Sequence, residues 1–258
     1  MNEEAKKRVS LDGRVAIVTG GHSGIGRGIV QSLYDFGANV VIAGRREELG
    51  GKVSAEYGDR AMYVKTDITV LDDIQNMVDK TVERFGRIDI LVNCSGTVVH
   101  KAAEDVSYDD WRKVMDVNLD GLFFVSQRVG RVMIEQKSGS IINISSNSDN
   151  LVMTPQKQAG YNASKAGVDM VTKCLAYEWA EHNIRVNAIA PGYVQTDILP
   201  DDVTPDGRKY KDIWLDMIPT GRFGQPGEIG DLVVYLASDM SGFMTGSVVL
   251  IDGGYSLT

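Results

Sequence analysis

Seven short apolar runs divide this chain: "RVAIVTG" (14–20), "NVVIAG" (39–44), "RAMYVKTDI" (60–68), "DILVNCSG" (89–96), "GSIINISS" (139–146), "IRVNAIAPG" (184–192) and "GSVVLIDGG" (246–254). The runs are continuous rather than alternating, which marks strands covered on both faces. Helix-like stretches separate most of them. After the first run, Ile25, Ile29, Leu33 and Phe36 recur at helical spacing and Gly37 closes the segment. Strand alternating with helix predicts an α/β fold: a parallel sheet with helices on both faces. Ligands bind such sheets beyond the carboxyl ends of the strands. The glycine and polar residues that end the runs are therefore where chemistry is expected.

The chain has 258 residues, enough for one large domain, and no linker, repeat or low-complexity tract interrupts it. A single domain over 1–258 is the expectation. The net charge of −8 repels phosphate backbones and anionic lipid, so neither nucleic acid nor a membrane is the expected partner. The N-terminus "MNEEAKKRVSLDGR" is charged and lacks an apolar core, and no long apolar span follows, so a cytoplasmic protein is expected. Cys94 and Cys174 lie far apart and read as reduced thiols. With His22, His100 and His182 they form no ligand spacing, and no metal site is expected.

The stretch "TGGHSGIG" (19–26) follows the first strand and opens a helix. Gly20, Gly24 and Gly26 allow a sharp turn, a close backbone approach to a ligand and tight packing of helix on sheet. A helix beginning near Gly24 aims its first N–H groups at the loop, which suits a pyrophosphate. Tyr161 and Lys165, in "YNASK", stand four apart and share a helix face. A nearby ammonium favours phenolate and would bring the tyrosine toward acid–base use near neutral pH. Ser107 with Asp110 reads as a capping box that starts the helix before Asn118.

"TGGHSGIG" and "YNASK", together with "NCSG" (93–96), "DVNLDG" (116–121), "NISS" (143–146), "APGYVQT" (190–196) and "DGG" (252–254), resemble the short-chain dehydrogenase/reductase family from about residue 10 onward. The resemblance implies a single doubly wound, seven-stranded parallel sheet of Rossmann-like form. It implies a nicotinamide dinucleotide held by Gly20, His22, Ser23, Gly24, Ile25 and Gly26. Asp67 and Ile68 would line the adenine. Asn93, Ser95 and Gly96 would keep the cofactor backbone in place, although "NCSG" departs from the family's usual Asn-Asn-Ala-Gly. Pro191, Gly192, Val194 and Thr196 would embrace the nicotinamide end. NAD-selective members carry an acidic residue at the end of the second strand; here Gly44 stands there, followed by Arg45 and Arg46. A guanidinium pairs with a 2′-phosphate that a carboxylate would repel, so NADP(H) is expected over NAD(H).

By the same resemblance, Tyr161 is the acid/base and Lys165 tunes it and holds the ribose. Asn118 supports a proton relay through water. A serine at the end of the fifth strand binds the reacting oxygen. Alignment on the strand end gives Ser146, the preferred choice, and counting back from Tyr161 gives Ser148. Ser145 is expected to face away by alternation. The substrate loop is expected at about 197–226, with Trp214, Leu215, Met217 and Ile218 on a short lid helix or facing the core. "DIWLDMIPTGR" and the stretch 147–167 look closest to members acting on sugars and polyols. Asn147, Ser148, Asp149, Asn150 and Gln156 would match substrate hydroxyls. A 3-oxoacyl-carrier-protein reductase is the alternative, with Arg128, Arg131 and Lys137 as a patch for an acidic carrier. A non-catalytic dinucleotide-binding regulator leaves the joint presence of Ser146, Tyr161 and Lys165 unexplained. Members usually assemble as homodimers or homotetramers through the tyrosine helix and the one before it; the stripe at Val171 and Leu175 is compatible with that.

Overall fold

The structure, a computed structural model, describes residues 2–196, 203–204 and 207–258. All seven apolar runs become strands: β1 (Val15–Thr19), β2 (Asn39–Gly44), β3 (Ala61–Lys65), β4 (Ile90–Asn93), β5 (Gly139–Ile144), β6 (Ile184–Pro191) and β7 (Val248–Ile251). They form one parallel sheet in the order β3-β2-β1-β4-β5-β6-β7. Nine α-helices occur among the described residues. They are α1 (Glu3–Val9), α2 (Gly24–Asp35), α3 (Glu47–Ala55), α4 (Leu71–Phe85), α5 (Tyr108–Met115), α6 (Leu122–Gln136), α7 (Ala159–Trp179), α8 (Tyr210–Asp216) and α9 (Pro226–Ala237).

Side-chain alternation sorts the strand residues into two cores. Ala16 and Val18 of β1 pack with α2 and α9 on one face. Ile17 between them packs with α4, α6 and α7 on the other. Both faces are thus covered, and this is why the strands could be apolar throughout. A third, smaller cluster of Met153, Trp214, Ile218, Phe223 and Tyr255 is separate from both. The strand order reverses between β1 and β4, leaving a crevice at their carboxyl ends.

The capping box at the start of α5 forms as expected: Asp110 N–H donates to Ser107 Oγ and Ser107 N–H donates to the Asp110 carboxylate. A π-helical turn, Asp116–Gly121, then joins α5 to α6. Extra-residue turns of this kind interrupt regular pairing and often sit at functional sites; this one contains Asn118. The expectation for Val171 and Leu175 is corrected. Both pack onto the protein's own sheet with α4 and α6, so that stripe is internal. Met170 and Tyr177 are the large apolar residues that α7 exposes. Among the described residues, no helix is long and apolar enough to cross a membrane.

A buried polar chain links the layers. Asn93 Nδ2 donates to Ser126 Oγ and to Asn143 Oδ1, both at 2.9 Å, and Asn143 Nδ2 donates to Thr172 Oγ1 at 2.8 Å. Asn143→Ala would strand an Asn93 N–H in the core and take from Thr172 Oγ1 the donor it accepts from, while its own bond to the Val168 carbonyl stays, so a stability loss of about 1–3 kcal/mol is expected in a urea titration. No change in the midpoint would show the chain to be dispensable.

Candidate active site

The crevice is a cleft of about 680 Å³ that runs from the β1 loop across the ends of β4 and β5 to β6 and α8. Its first wall is the stretch Gly20–Gly26. A Cβ at Gly26 would lie 2.3 Å from the Gly20 carbonyl oxygen, so only glycine lets α2 start this close to the turn. Ser23 stands at the N-cap position of α2 but makes no side-chain cap, and Ser23, Gly24, Ile25 and Gly26 all line the cleft. The first N–H groups of a helix have no partner within it, so this wall offers backbone donors to an anion.

At the β2 end, the His22 imidazole lies over Gly44, where a Cβ would come within 2.5 Å of the ring. Arg46 Nε donates to His22 Nε2 at 2.8 Å, and Arg46 also donates to Ser23 Oγ at 2.6 Å. Since Nε2 accepts, the ring proton sits on Nδ1, a buried donor with no partner. Burial first, then Arg46 and Arg45, push the His22 pKa down and keep the ring neutral. Arg45 and Arg46 both line the cleft. Asp67 and Ile68 follow across it. Burial raises the Asp67 carboxyl, but the Thr69 N–H and hydroxyl, with Arg45, outweigh it and hold it below its ordinary range. The donor-rich loop, the paired guanidiniums and the glycine cradle together fit a phosphate-bearing dinucleotide.

The other end gathers the expected reacting groups. Tyr161 and Lys165 lie on α7, with the Lys165 ammonium 5.6 Å from the tyrosine ring centre. Lys165 is 4% exposed and donates to the Ile144 carbonyl at 2.8 Å. Burial pulls its pKa down to about 8, against the pull of Cys94 and Asp169. Ser146 stands near enough to Tyr161 to pull its phenol toward ionisation, and its Oγ caps the 3-10 turn Asn147–Asp149, accepting from Ser148 N–H at 3.1 Å. Ser148 instead accepts from Gln158 Nε2 at 3.3 Å. Both serines line the cleft, and of the two it is Ser146 that acts on the tyrosine's ionisation. Ser145 turns toward α7 and donates to the Lys165 carbonyl at 3.3 Å. The expected lowering of Tyr161 is not what the chain alone produces. Burial pushes the phenol up, and the Ser146 hydrogen bond only partly offsets it.

Three expected residues stand behind the cleft rather than in its lining. Asn93 spends its side-chain N–H groups on Ser126 and Asn143 and braces β4. Val194 belongs to the core and forms a bridge with Gly224. Asn118 is fully buried; its Oδ1 accepts from Thr97 N–H at 2.8 Å, and its Nδ2 donates to the Thr97 carbonyl and Ser164 Oγ. A relay by Asn118 must therefore use its remaining oxygen lone pairs. Ser95, Gly96, Pro191, Gly192 and Thr196 line the cleft where expected. Gln156 lines it too, pinned between Tyr193 and Trp214: it donates to the Tyr193 hydroxyl at 2.7 Å and accepts from Trp214 Nε1 at 3.1 Å. Asn147 and Ser148 are in the lining, whereas Asp149 and Asn150 are not.

Sequence reasoning missed Tyr193, Gln158 and Met153, which also line the cleft. Tyr193 stacks on Trp214 with ring centres 4.3 Å apart. Its place between Gly192 and Val194 was the available signal. Part of the expected substrate loop, 197–202 and 205–206, lies outside the described residues. The rest includes α8, whose Trp214 is both in the third core and in the cleft lining. Cys94 lies beside Lys165, and burial pushes its thiol up to about 12, which leaves it unreactive near neutral pH.

A family model described as "Enoyl-(Acyl carrier protein) reductase" matches residues 20–256. The chain is 38% identical over 252 residues to a sorbose reductase of Candida albicans, covering 96% of this chain and 88% of that protein. It is 39% identical over 247 residues to a 3-oxoacyl-(acyl-carrier-protein) reductase of Thermotoga maritima, covering 95% and 98%. Among solved structures, a gluconate 5-dehydrogenase from Burkholderia cenocepacia in complex with NADP and tartrate matches with a TM-score of 0.90 and 35% identity, covering 98% of this chain and 99% of that one.

The close approach at Gly26 generates a direct test. Gly26→Ala must push the helix start away from Gly20, so a nicotinamide dinucleotide should bind at least roughly tenfold more weakly in a calorimetric titration, an effect of the size of one charge-assisted hydrogen bond. Unchanged affinity would separate the loop from dinucleotide binding.

Proposed function

This chain belongs to the short-chain dehydrogenase/reductase family and is an oxidoreductase of alcohols and ketones, and on that premise we propose that it interconverts a ketose and its sugar alcohol with NADP(H) in preference to NAD(H). The observation that carries the substrate class is the polar lining beside Tyr161: Ser146, Ser148, Gln156 and Gln158, with the Tyr193 hydroxyl held by Gln156. Groups of this kind match hydroxyls and leave an apolar substrate with unpaired polar partners. The similarity to a sorbose reductase supports the same reading.

A bound nicotinamide dinucleotide supplies the carbon that gives or takes a hydride. Arg45 and Arg46 would hold a 2′-phosphate, the loop Gly20–Gly26 would hold the pyrophosphate, and Lys165 would hold the ribose. The chain's own residues do the proton chemistry. Ser146 donates to the substrate oxygen and keeps it beside Tyr161. The Tyr161 hydroxyl gives its proton to a carbonyl oxygen in reduction, or takes one from an alcohol in oxidation. Asn118 holds Thr97 and the wall behind Lys165, and α8 acts as the lid over the substrate end.

The 3-oxoacyl-(acyl-carrier-protein) reductase reading draws on an equally similar relative. Its expected basic patch of Arg128, Arg131 and Lys137 lies on and just after α6, outside the cleft lining, so the polar lining alone is what favours the ketose. The deciding assay follows absorbance of the reduced nicotinamide with NADPH, then NADH, over ketoses, diketones and a 3-oxoacyl thioester. Oxidation of NADPH by a ketose is expected; activity on the thioester alone overturns the substrate class, and equal or better efficiency with NADH overturns the cofactor preference.

Two substitutions test the residues. Tyr161→Phe should keep NADPH binding and lose turnover by roughly 10²–10⁴-fold; retained turnover refutes the acid/base role. Arg46→Ala should weaken NADPH roughly 10–100-fold and leave NADH nearly unchanged. Assembly follows the same premise: the exposed Met170 and Tyr177 of α7, and Phe243 and Leu250 at the β7 edge, support a homodimer or homotetramer. Sedimentation as a monomer at working concentration overturns that.

A further inference from the structure

A histidine and an arginine hold each other at the β2 end of the cleft. His22 lies in the loop that opens α2 and is 7% exposed. Its ring fills the space over Gly44 that a Cβ would need. Arg46 follows β2 at the N-cap position of α3, where its backbone carbonyl accepts from Gly50 N–H. The main chain on each side is thus fixed before the two side chains meet. Arg46 Nε then donates to His22 Nε2 at 2.8 Å, and Arg46 Nη2 donates to Ser23 Oγ at 2.6 Å.

A guanidinium is a planar fork of N–H groups. Nε and Nη2 flank one of its edges, and the glycine loop has taken that edge. The edge between Nη1 and Nη2 is left over, and Nη1 donates to nothing among the described residues. Two parallel N–H groups at such an edge match two oxygens of a phosphate. The charge is unspent as well. Of the acids in the first turn of α3, Glu47 pairs with Lys65 and Glu48 with Lys52. Asp67, across the cleft, accepts from Thr69. Arg45 lines the same wall, but it is exposed and makes no hydrogen bond among the described residues. Of the two guanidiniums, Arg46 is the one held in a set direction.

The clamp also dictates where the ring keeps its proton. A proton on Nε2 would set donor against donor, so the contact with Arg46 requires the Nδ1–H tautomer, even though Nδ1 is buried there without an acceptor. A doubly protonated ring would break the contact too. Burial first, then Arg46 and Arg45, push the His22 pKa down and keep that form away. An exposed arginine is ordinarily free to rotate and loses that freedom on binding; here the loss is incurred before any ligand arrives.

We propose that His22 is a positioning residue for cofactor choice: with Ser23 it clamps one edge of Arg46 and so presents the other edge to the 2′-phosphate. The inference rests on the proposed preference for NADP(H) and adds what enforces it. His22 and Ser23 belong to the glycine loop, so the donors for the pyrophosphate and the fork for the 2′-phosphate form one piece.

The first arm of the test needs no cofactor. A long-range proton–nitrogen correlation spectrum of the nitrogen-15-labelled protein at neutral pH, with the His22 signals assigned by their loss in His22→Gln, should show a neutral ring protonated on Nδ1. A ring protonated on Nε2 overturns the clamp. The second arm titrates NADPH and NADH calorimetrically and reads the ratio of their affinities, which a general loosening of the loop would not move. His22→Ala should lower the NADPH-to-NADH ratio roughly tenfold, the scale of one charge-assisted hydrogen bond. His22→Gln, whose side-chain oxygen can accept from Arg46 Nε, should restore most of it. In an Arg46→Ala background, His22→Ala should change the ratio by less than about twofold, because the two residues act as a unit. A wild-type preference for NADPH that His22→Ala leaves intact, or that His22→Gln loses as fully as His22→Ala, overturns the positioning role while the cofactor preference stands. A wild type that binds NADH as tightly as NADPH overturns the preference itself, and the role of the clamp with it.

Discussion

Lys165 reaches back from α7 and donates its ammonium hydrogen to the carbonyl of Ile144, 2.8 Å away at the end of β5. A buried ammonium costs several kcal/mol unless it is hydrogen-bonded, so this contact fixes where α7 can lie. Its neighbours repeat the constraint: Asn143 donates to Thr172, and Ser145 donates to the Lys165 carbonyl. Three consecutive residues of β5 and its end are thus tied to one helix. Strand side chains alternate between faces, so a one-residue slip would turn the Asn143 and Ser145 side chains away from α7 and offer Lys165 a different carbonyl. With that register set, Ser146, the next residue along, meets Tyr161, which stands one turn before Lys165.

The same burial shapes the proton chemistry. It lowers Lys165 to about 8 and raises Tyr161, so the resting site favours a neutral phenol beside a lysine that gives up its charge more readily. A neutral phenol is an acid, prepared to give a proton to a carbonyl oxygen. Running the reaction from the alcohol needs a positive charge next to the ring to draw the phenol toward phenolate. The Ser146 hydrogen bond moves Tyr161 in that direction but does not overcome burial. The protein alone therefore holds Tyr161 as a neutral phenol, and how far it ionises is sensitive to the charge brought into the cleft.

The sheet was legible in the sequence because seven runs buried on both faces leave an unbroken apolar trace, and because the glycines of 20–26 mark a turn that no other residue allows. Motif residues were legible as types at a spacing, but spacing does not say which way a side chain turns. Asn93, Asn118 and Val194 all lie next to the cleft in sequence and face away from it, into the polar chain, the Thr97 backbone and the core. The stripe at Val171 and Leu175 shows the matching ambiguity: a helix pattern reveals an apolar face without saying whether a sheet or a second protein covers it. Contacts between distant segments left no trace at all. The Tyr193–Trp214 stack joins residues about 20 positions apart, and nothing local in the chain announces it.

The dinucleotide end has a dependence of its own. Gly44, His22 and Arg46 form one unit: the missing Cβ makes room for the imidazole, and the imidazole gives Arg46 an acceptor. A carboxylate introduced at position 44 would need the space that His22 fills, 2.5 Å from where its Cβ would start. Moving His22 aside would in turn release Arg46 from its hydrogen bond and leave a guanidinium free to pair with the new carboxylate, tying up the group meant for ribose hydroxyls. With NADP(H) as the proposed cofactor, the preference for a 2′-phosphate is therefore held by packing as much as by charge. A change of preference at position 44 has to be accompanied by changes at 22 and 46, because no one of the three can change without altering what the other two can bind.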